Sequence, residues 1–371
     1  MTTFAWVLDS GGAGRGAWQG GVLYEFALWA RDHHCYPRVA MGASAGGYAA
    51  ADVATLRPET FPKGWNKWGL EEVPDRTHEP PEFRSLGGWV QFRSHLYHSI
   101  RYVMSAAELG GVFDAPAERR TRLIVFTTRS RRRDGTDFSP ADSMRYFLKS
   151  TLRKMPPPLK YLPEEYVEDP VLFVTHLEKH LESEFVRPIT RVNYHNVIEA
   201  SCLIPFAMGQ PLQQEELLPI WKGLDPLGTN TCTAEEWWER QIARYRFSGD
   251  DRAVFLDGGF ALKIPFRRFA EDSRFQALAD NLRCDKTLIF CCDPGGKLWE
   301  TSMRLRALND WEALGQVLRE KKIFIIYPDH PLRAGFLSTN HHQILKTYEG
   351  GRAQGRRILS SPAFQEFLNA A

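Results

Sequence analysis

The sequence predicts an α/β protein with a mostly parallel central sheet between two layers of helices. Short apolar runs of strand length alternate with stretches of helical spacing at both ends of the chain. This alternation is typical of three-layer α/β/α folds, because each crossover between parallel strands places a helix on one face of the sheet. The composition, 43% hydrophobic and 25% charged residues, is that of a globular protein.

The strands are expected where the apolar runs lie. These runs are residues 4–8, 39–41, 123–127, 253–256, 287–292 and 323–327. Helices are expected over residues 16–30, where large apolar side chains recur at helical spacing, and over the Ala-rich residues 45–54. A length of 371 residues suits one large α/β domain with insertions or two ordinary domains, and we predict a single domain over residues 1–371.

Three less regular stretches are predicted to be insertions into this domain. They cover residues of about 56–118, 151–190 and 211–250. The second begins with Pro156, Pro157 and Pro158, which break helices, and the third contains a helix-capping box at 233–236. Such stretches either join the core or form a cap over a site for an apolar substrate. The fold prediction includes a helical cap.

Composition and charge exclude several classes of function. Lys and Arg number 47 against 45 Asp and Glu, so no general electrostatic attraction to nucleic acid is expected. The basic run 129–133 is expected to be a solvated loop. The N-terminus lacks the pattern of a secretory signal, and no apolar run is long enough for a transmembrane helix. The six cysteines lack CxxC pairs and zinc-like histidine spacing, which favours reduced thiols in a cytoplasmic protein without a metal.

The first candidate for chemistry is Ser44, in the run Gly42-Ala-Ser44-Ala-Gly46. The run follows a predicted strand and opens a predicted helix, which is the setting of a nucleophile elbow. Gly42 and Gly46 lack the side chains that would clash in so sharp a turn. Ser44 would then project from the turn, beside a helix N-terminus that favours developing negative charge. The alternative is a plain small-residue turn with Ser44 as a helix cap.

The second candidate is the glycine-rich segment from Ser10 to Gly16, again between a strand and a helix. Its successive backbone N–H groups suit an oxyanion or a phosphate. A dinucleotide fold is the competing interpretation, but its GxGxxG motif would need a glycine where Ala13 stands. The predicted second strand also ends without the acidic residue that such folds use.

The third candidate is Asp257, in the run Phe255-Leu-Asp257-Gly-Gly259. Asp-Gly between apolar runs is often a hairpin turn. Alternatively, a carboxylate at a strand end, beside glycines that let another loop approach, could take the proton of Ser44 directly if burial raises its basicity.

Together the three segments resemble the patatin-like phospholipase family. That family combines a glycine-rich oxyanion loop after its first strand, a GxSxG elbow and a later DGG or DGA motif. Residues 8–23 here are similar to the family's opening segment. Residues 200–206, Ala-Ser-Cys-Leu-Ile-Pro-Phe, are similar to its helix end before the second catalytic segment, and residues 257–265 to its DGG segment.

The resemblance implies a serine acyl hydrolase that needs neither metal nor cofactor. Ser44 would be the nucleophile and Asp257 the general base of a two-residue dyad, with the N–H groups of Gly11, Gly12 and Ala13 as the oxyanion hole. The supporting loop residues would be Gly14, Arg15, Gly16, Gly42, Gly46, Gly258 and Gly259. The expected substrate is a lipid or other acyl ester, with peripheral contact to a membrane as a further expectation.

The sequence departs from the family pattern at two places. Ala13 stands where the family has a third loop glycine, so it must avoid positive φ, or Gly14 takes the special conformation. Lys263 replaces an Asn that is common after DGG, which puts a charge near the rim of the site.

Two other interpretations stay open. The order Ser44, Asp257 and then His330, His341 or His342 matches a Ser-Asp-His triad, although surface or capping roles are favoured for these histidines. A catalytically silent patatin-like protein, acting as a lipid-binding or interaction module, is the alternative from another class.

Overall fold

One nine-stranded sheet forms the centre of the protein in a computed structural model, which describes residues 2–67, 106–139, 141–145, 165–204, 212–213, 253–259, 273–292, 322–335, 338 and 340–370. The strands are β1 (Phe4–Leu8), β2 (Val39–Ala43), β3 (Arg122–Arg132), β4 (Tyr166–Thr175), β5 (Val186–Ile189), β6 (Leu212–Gln213), β7 (Val254–Asp257), β8 (Lys286–Phe290) and β9 (Ile323–Ile326). Their order is β5-β4-β3-β2-β1-β8-β9, with β7 paired to β3 and β6 to β7.

Five neighbouring strands of this order are parallel to one another, namely β3, β2, β1, β8 and β9. This confirms the predicted parallel sheet. β4 and β7 pair with β3 in the antiparallel sense. All six predicted strands are present, β1 at its predicted bounds and β3 extended by several residues. β4 and β5 were not predicted and lie within a predicted insertion. β4 contains Glu168, Asp169 and Pro170 in its partly exposed half, so it does not form an unbroken apolar run.

Helices cover both faces of the sheet, as the three-layer prediction requires. They are α1 (Gly12–Asp32), α2 (Ala45–Ala54), α3 (Thr60–Lys67), α4 (Ala106–Phe113), α5 (Tyr194–Cys202), α6 (Gln276–Asn281), α7 (His341–Leu359) and α8 (Pro362–Asn369). α2 has its predicted bounds, whereas α1 begins four residues before its prediction, inside the glycine-rich segment.

Alternate side chains of each strand enter different cores. Trp6 and Phe290 lie in the larger core, together with buried side chains of α1, α2, α5, α7 and α8. Val7 and Met41 face the other way and cluster with Leu278 of α6. The sheet is therefore buried on both faces, as parallel sheets generally are.

Helix α7, the last but one of the described helices, lies along α1. The indole nitrogen of Trp18 donates to the side chain of Gln354 at 3.0 Å, and Arg352 binds Glu25 at 2.9 Å. Because α1 and α7 share these buried and half-buried contacts, α7 helps to fix the position of α1.

The described parts of two predicted insertions belong to the sheet and the core. Trp65 of α3 is buried against Gly16 and Gly20 of α1, and residues 166–175 and 186–189 are strands of the main sheet. These residues follow the first of the two alternatives for the insertions, since their apolar side chains join the core beside the sheet. The cap stays a prediction for the rest of the insertions. The other residues of these ranges, and nearly all of 211–250 with its capping box, lie outside the described residues.

The basic run 129–133 is not a solvated loop, because most of it lies in β3. Arg129 is only 3% exposed; it pairs with Asp169 at 3.1 Å and its guanidinium lies over the ring of Phe185. The long strand carries this arginine into the interior, where a carboxylate and an aromatic face replace water as its partners.

Five of the six cysteines lie among the described residues and carry free thiols; Cys232 lies outside them. In the described part of the chain, no group of His, Cys, Asp and Glu side chains is arranged to hold a metal ion. Over the same residues, no helix combines the length and the apolar character that crossing a membrane requires.

Candidate active site

The strands β2 and β7 meet end to end along one edge of β3. Ala43, the last residue of β2, pairs with Phe126, and Asp257, the last residue of β7, pairs with the next residue, Thr127. β2 runs parallel to β3 and β7 runs antiparallel to it, so their C-terminal ends point at each other. Ser44, which directly follows β2, therefore lies beside Asp257.

Ser44 occupies a sharp turn between β2 and α2, with φ of 56° and ψ of −133°. Residues other than glycine rarely adopt this conformation, and holding one there costs about 1–3 kcal/mol. The flanking residues make the turn feasible: a Cβ on Gly42 would overlap the backbone of Gly46, and a Cβ on Gly46 would overlap the carbonyl oxygen of Leu8. The structure thus has a sharp strand-to-helix turn at Ser44, which we call the elbow.

The carboxyl group of Asp257 is 5% exposed and makes two hydrogen bonds at the elbow. Its Oδ1 accepts from the backbone N–H of Gly259 at 2.7 Å, and the side chain of Ser44 hydrogen-bonds to the same carboxyl group. Burial raises the pKa of Asp257 to about 6, and the hydrogen bonds from Ser44 and Gly259 limit the rise. The group is thus ionised at neutral pH and is more basic than an ordinary aspartate.

The glycine-rich segment follows β1, and α1 already begins at Gly12. Gly12 has φ of 64°, whereas Ala13 lies within the helix, so neither Ala13 nor Gly14 takes the special conformation. The first N–H groups of any helix lack intrahelical acceptors, and the helix dipole adds positive potential there. The segment thus offers N–H groups of the kind an oxyanion needs.

The predicted loop residues cluster around the elbow and the strand ends. Gly11 lies against Cys292, Gly14 against Ala334 and Gly335, Gly16 against Ala45, and Gly259 against Ser10. A Cβ on Gly258 would overlap the carbonyl oxygen of Phe126, the residue paired with the end of β2. Arg15 is a half-buried residue of α1, and Lys263 lies outside the described residues.

Sequence reasoning assigned no role to several polar residues around the site. The side chain of Gln19 donates to the backbone carbonyl oxygen of Phe290 at 2.8 Å. The hydroxyl of Thr128 donates to the backbone carbonyl oxygen of Asp257 at 2.9 Å. The hydroxyl of Ser201 donates to the carbonyl oxygen of Phe126 at 2.6 Å. All three side chains are fully buried. The signal that the sequence offered was the resemblance of residues 8–23 and 200–206 to family segments, which include Gln19 and Ser201 but indicated no role for either.

The candidate triad histidines lie after β9 and in the first turn of α7. Asn340 caps α7 by accepting from the N–H of Gln343 at 3.0 Å, so His341 and His342 stand in the first turn of that helix, as the capping interpretation expected. His330 is an exposed residue after β9. The carboxyl group of Asp257 occupies the place beside Ser44 that a triad would give to histidine.

Comparison with known proteins agrees with the geometry. A search of curated proteins gave no significant match to the chain. The family model of patatin-like phospholipase matches residues 7–270, which is well over half of the chain and includes the glycine-rich segment, the elbow and Asp257. Later residues complete the same sheet, because β8 pairs with β1 and β9 with β8. The chain belongs to the patatin-like phospholipase family.

Proposed function

We propose that the chain is a serine acyl hydrolase that cleaves carboxylic esters, with lipid acyl esters as its substrates. Ser44 is the nucleophile and Asp257 the general base. One observation carries this proposal: the side chain of Ser44 hydrogen-bonds directly to a buried carboxyl group whose pKa is raised to about 6. Membership of a phospholipase family supplies the expectation of a lipid substrate.

In the first half of the reaction, the carboxylate of Asp257 accepts the hydroxyl proton of Ser44. The Ser44 oxygen attacks the ester carbonyl carbon, and the carbonyl oxygen becomes an oxyanion. The N–H groups of Gly11, Gly12 and Ala13 stabilise this charge at the start of α1. The intermediate then collapses to an acyl-enzyme, and Asp257 returns the proton to the departing alcohol.

In the second half, water replaces the alcohol. Asp257 accepts a proton from the water as its oxygen attacks the acyl carbon, and the same N–H groups stabilise the second oxyanion. The bond to Ser44 breaks, Asp257 gives the proton back to the serine oxygen, and the carboxylic acid leaves. Every proton passes through Asp257, and no metal or cofactor takes part in these steps.

We extend the proposal to the organisation of the chain. Residues 1–371 form one catalytic domain: three elements beyond residue 270 belong to the same structure, since β8 pairs with β1, β9 pairs with β8, and α7 packs against α1. The enzyme acts in the cytoplasm, and peripheral contact with a membrane would bring it to its lipid substrate.

A fluorophosphonate probe, which modifies activated serines, tests the proposal directly. The wild-type protein should be labelled and should hydrolyse a p-nitrophenyl ester and phospholipid vesicles, whereas folded Ser44→Ala should do neither. Ser130→Ala is the matched control, because Ser130 is also fully buried and its hydroxyl has no hydrogen-bond partner among the described residues. That variant should be labelled normally.

Each negative outcome has its own meaning. Labelling or hydrolysis that persists in folded Ser44→Ala would reject Ser44 as the nucleophile. A folded wild-type protein that is neither labelled nor active would favour the catalytically silent lipid-binding module. A histidine variant more damaging than Asp257→Asn would reject the dyad.

A further inference from the structure

The C-terminal end of α5, residues 201–203, touches both halves of the proposed dyad. It comprises the last two residues of the helix Tyr194–Cys202 and the residue after it, and it lies between the elbow and the end of β7. Ser201, Cys202 and Leu203 are all buried, and Ser201 and Leu203 are inaccessible to solvent. We call residues 201–203 the α5 terminus.

On the elbow side, the α5 terminus holds both backbone polar groups of Ser44. The N–H of Ser44 donates to the hydroxyl oxygen of Ser201 at 3.0 Å, and the thiol of Cys202 donates to the carbonyl oxygen of Ser44 at 3.1 Å. The same carbonyl accepts the first helical bond of α2, from the N–H of Tyr48 at 3.1 Å. These contacts fall on the residue whose φ of 56° is unfavourable.

On the other side, the α5 terminus holds the backbone at Asp257. The N–H of Asp257 donates to the carbonyl oxygen of Leu203 at 2.9 Å, and the N–H of Gly258 donates to that of Ser201 at 3.1 Å. The hydroxyl of Ser201 also donates to the carbonyl oxygen of Phe126 at 2.6 Å, at the place on β3 where β2 and β7 meet.

We propose that the α5 terminus is a positioning element for the dyad, and that Ser201 is its principal residue. The inference rests on the proposed function of Ser44 and Asp257. A strained backbone conformation persists only where several surrounding contacts hold it in place. Ser201 provides two such contacts: its hydroxyl accepts the N–H of Ser44, and its backbone carbonyl accepts the N–H of Gly258. The element therefore sets the separation between the serine oxygen and the carboxyl group without touching the substrate.

The replacement Ser201→Ala removes the acceptor of the Ser44 N–H and the donor to Phe126. We expect a folded protein whose fluorophosphonate labelling rate and kcat are about 10- to 100-fold lower, because small displacements of a nucleophile have effects of this size. KM should change by less than about twofold, since Ser201 lies behind the elbow.

The pH profile separates positioning from general loosening of the fold. The hydrogen bond from Ser44 helps to keep the pKa of Asp257 down. If Ser201→Ala lets Ser44 move away, that hydrogen bond is lost and the midpoint of the pH profile of labelling moves upward. A variant that is merely less stable would keep the wild-type midpoint.

Two further variants make the test independent of how well Ser201→Ala folds. Cys202→Ala removes the thiol donor to the carbonyl oxygen of Ser44, and Cys202→Ser replaces that donor by a hydroxyl. We expect slower labelling and a raised midpoint for Cys202→Ala, and recovery towards wild-type values for Cys202→Ser. Ser130→Ala, a buried serine outside this element, should leave the rate and the midpoint unchanged.

The outcomes distinguish this inference from the proposed function. Wild-type protein labelled at Ser44, together with folded Ser201→Ala or Cys202→Ala that labels at the wild-type rate and midpoint, would overturn the positioning role alone. Folded wild-type protein that is not labelled at Ser44 would reject the proposed function and the positioning role with it.

Discussion

Replacement of Asp257 by Asn separates the energetic effect of a buried carboxylate from its proposed catalytic role. Asn has nearly the same shape, and its side-chain oxygen can still accept the N–H of Gly259, which Asp257 accepts at 2.7 Å. It cannot take a proton from Ser44. We therefore expect Asp257→Asn to lose hydrolysis and, at neutral pH, to gain stability against unfolding.

The size of the gain follows from the pKa of Asp257, about 6 in the folded protein against an ordinary value of 3.8. The folded state holds the proton more tightly than the unfolded state, so ionisation costs stability as the pH rises above 3.8, and the cost is nearly complete by pH 7. Two pKa units at about 1.4 kcal/mol each give a cost of about 3 kcal/mol. Asn carries no such cost, since it does not titrate.

Urea unfolding of both proteins between pH 4 and pH 8 measures this difference. The free energy of unfolding of Asp257→Asn minus that of wild type should rise by about 2 kcal/mol from pH 4 to pH 7, since part of the cost is already present at pH 4, and should stay level above pH 7. Ser44→Ala is the control: it keeps the titrating group and loses a hydrogen bond that lowers its pKa, so its pH-dependent cost should be at least that of wild type. A difference between Asp257→Asn and wild type that is flat with pH, or that falls, would refute the reasoning.

Three other expectations concern the same framework. The value of kcat/KM should rise with pH through a midpoint near 6, because Asp257 acts as a base only when ionised; a profile flat between pH 5 and pH 7 would contradict this. Gly258→Ala should abolish labelling of Ser44 and cost about 1–3 kcal/mol in urea unfolding, since its Cβ would overlap the backbone oxygen of Phe126. Lys286→Met should lower stability by about 2 kcal/mol and leave kcat unchanged below the melting temperature, because the buried ammonium donates to three carbonyl oxygens at the end of α8, at 2.6–2.7 Å. A melting temperature unchanged in that variant would show that the contacts contribute little.

Local patterns in the sequence predicted the framework of the fold well. β1 and α2 have their predicted bounds, because an unbroken apolar run and an Ala-rich run each favour one secondary structure over their whole length. The start of α1 was placed too late, since a run of glycines has low helix propensity, and here the packing of the loop against neighbouring segments overrides it. β4 was missed because its first half contains charged residues and a proline, and so does not read as an apolar run. That half is partly exposed and pairs with the C-terminal part of β3.

The candidate site was predictable in its parts but not in its assembly. The glycines around Ser44 indicated a sharp turn, and the Asp-Gly-Gly run indicated a strand end. Ser44 and Asp257 come together only because β3 is long enough to pair with both β2 and β7. β2 pairs with the first part of β3, and β7 pairs with the next part along the same edge. The proposed role of Ser201 could not be found from the sequence, because its hydrogen bonds outside α5 join residues more than 50 positions away along the chain.

The shared neighbour β3 also bears on how such a protein can change over evolution. Hydrogen bonds to β3 and β6 fix where β7 lies, so we expect the number of residues between β6 and β7 to have little influence on the position of Asp257. Each doubling of the length of a loop costs only about 0.6 kcal/mol in general, whereas a two-residue slip of β7 along β3 would carry the carboxyl group about 7 Å away. New segments can therefore be added or exchanged before β7 to suit other substrates, while the dyad keeps its geometry.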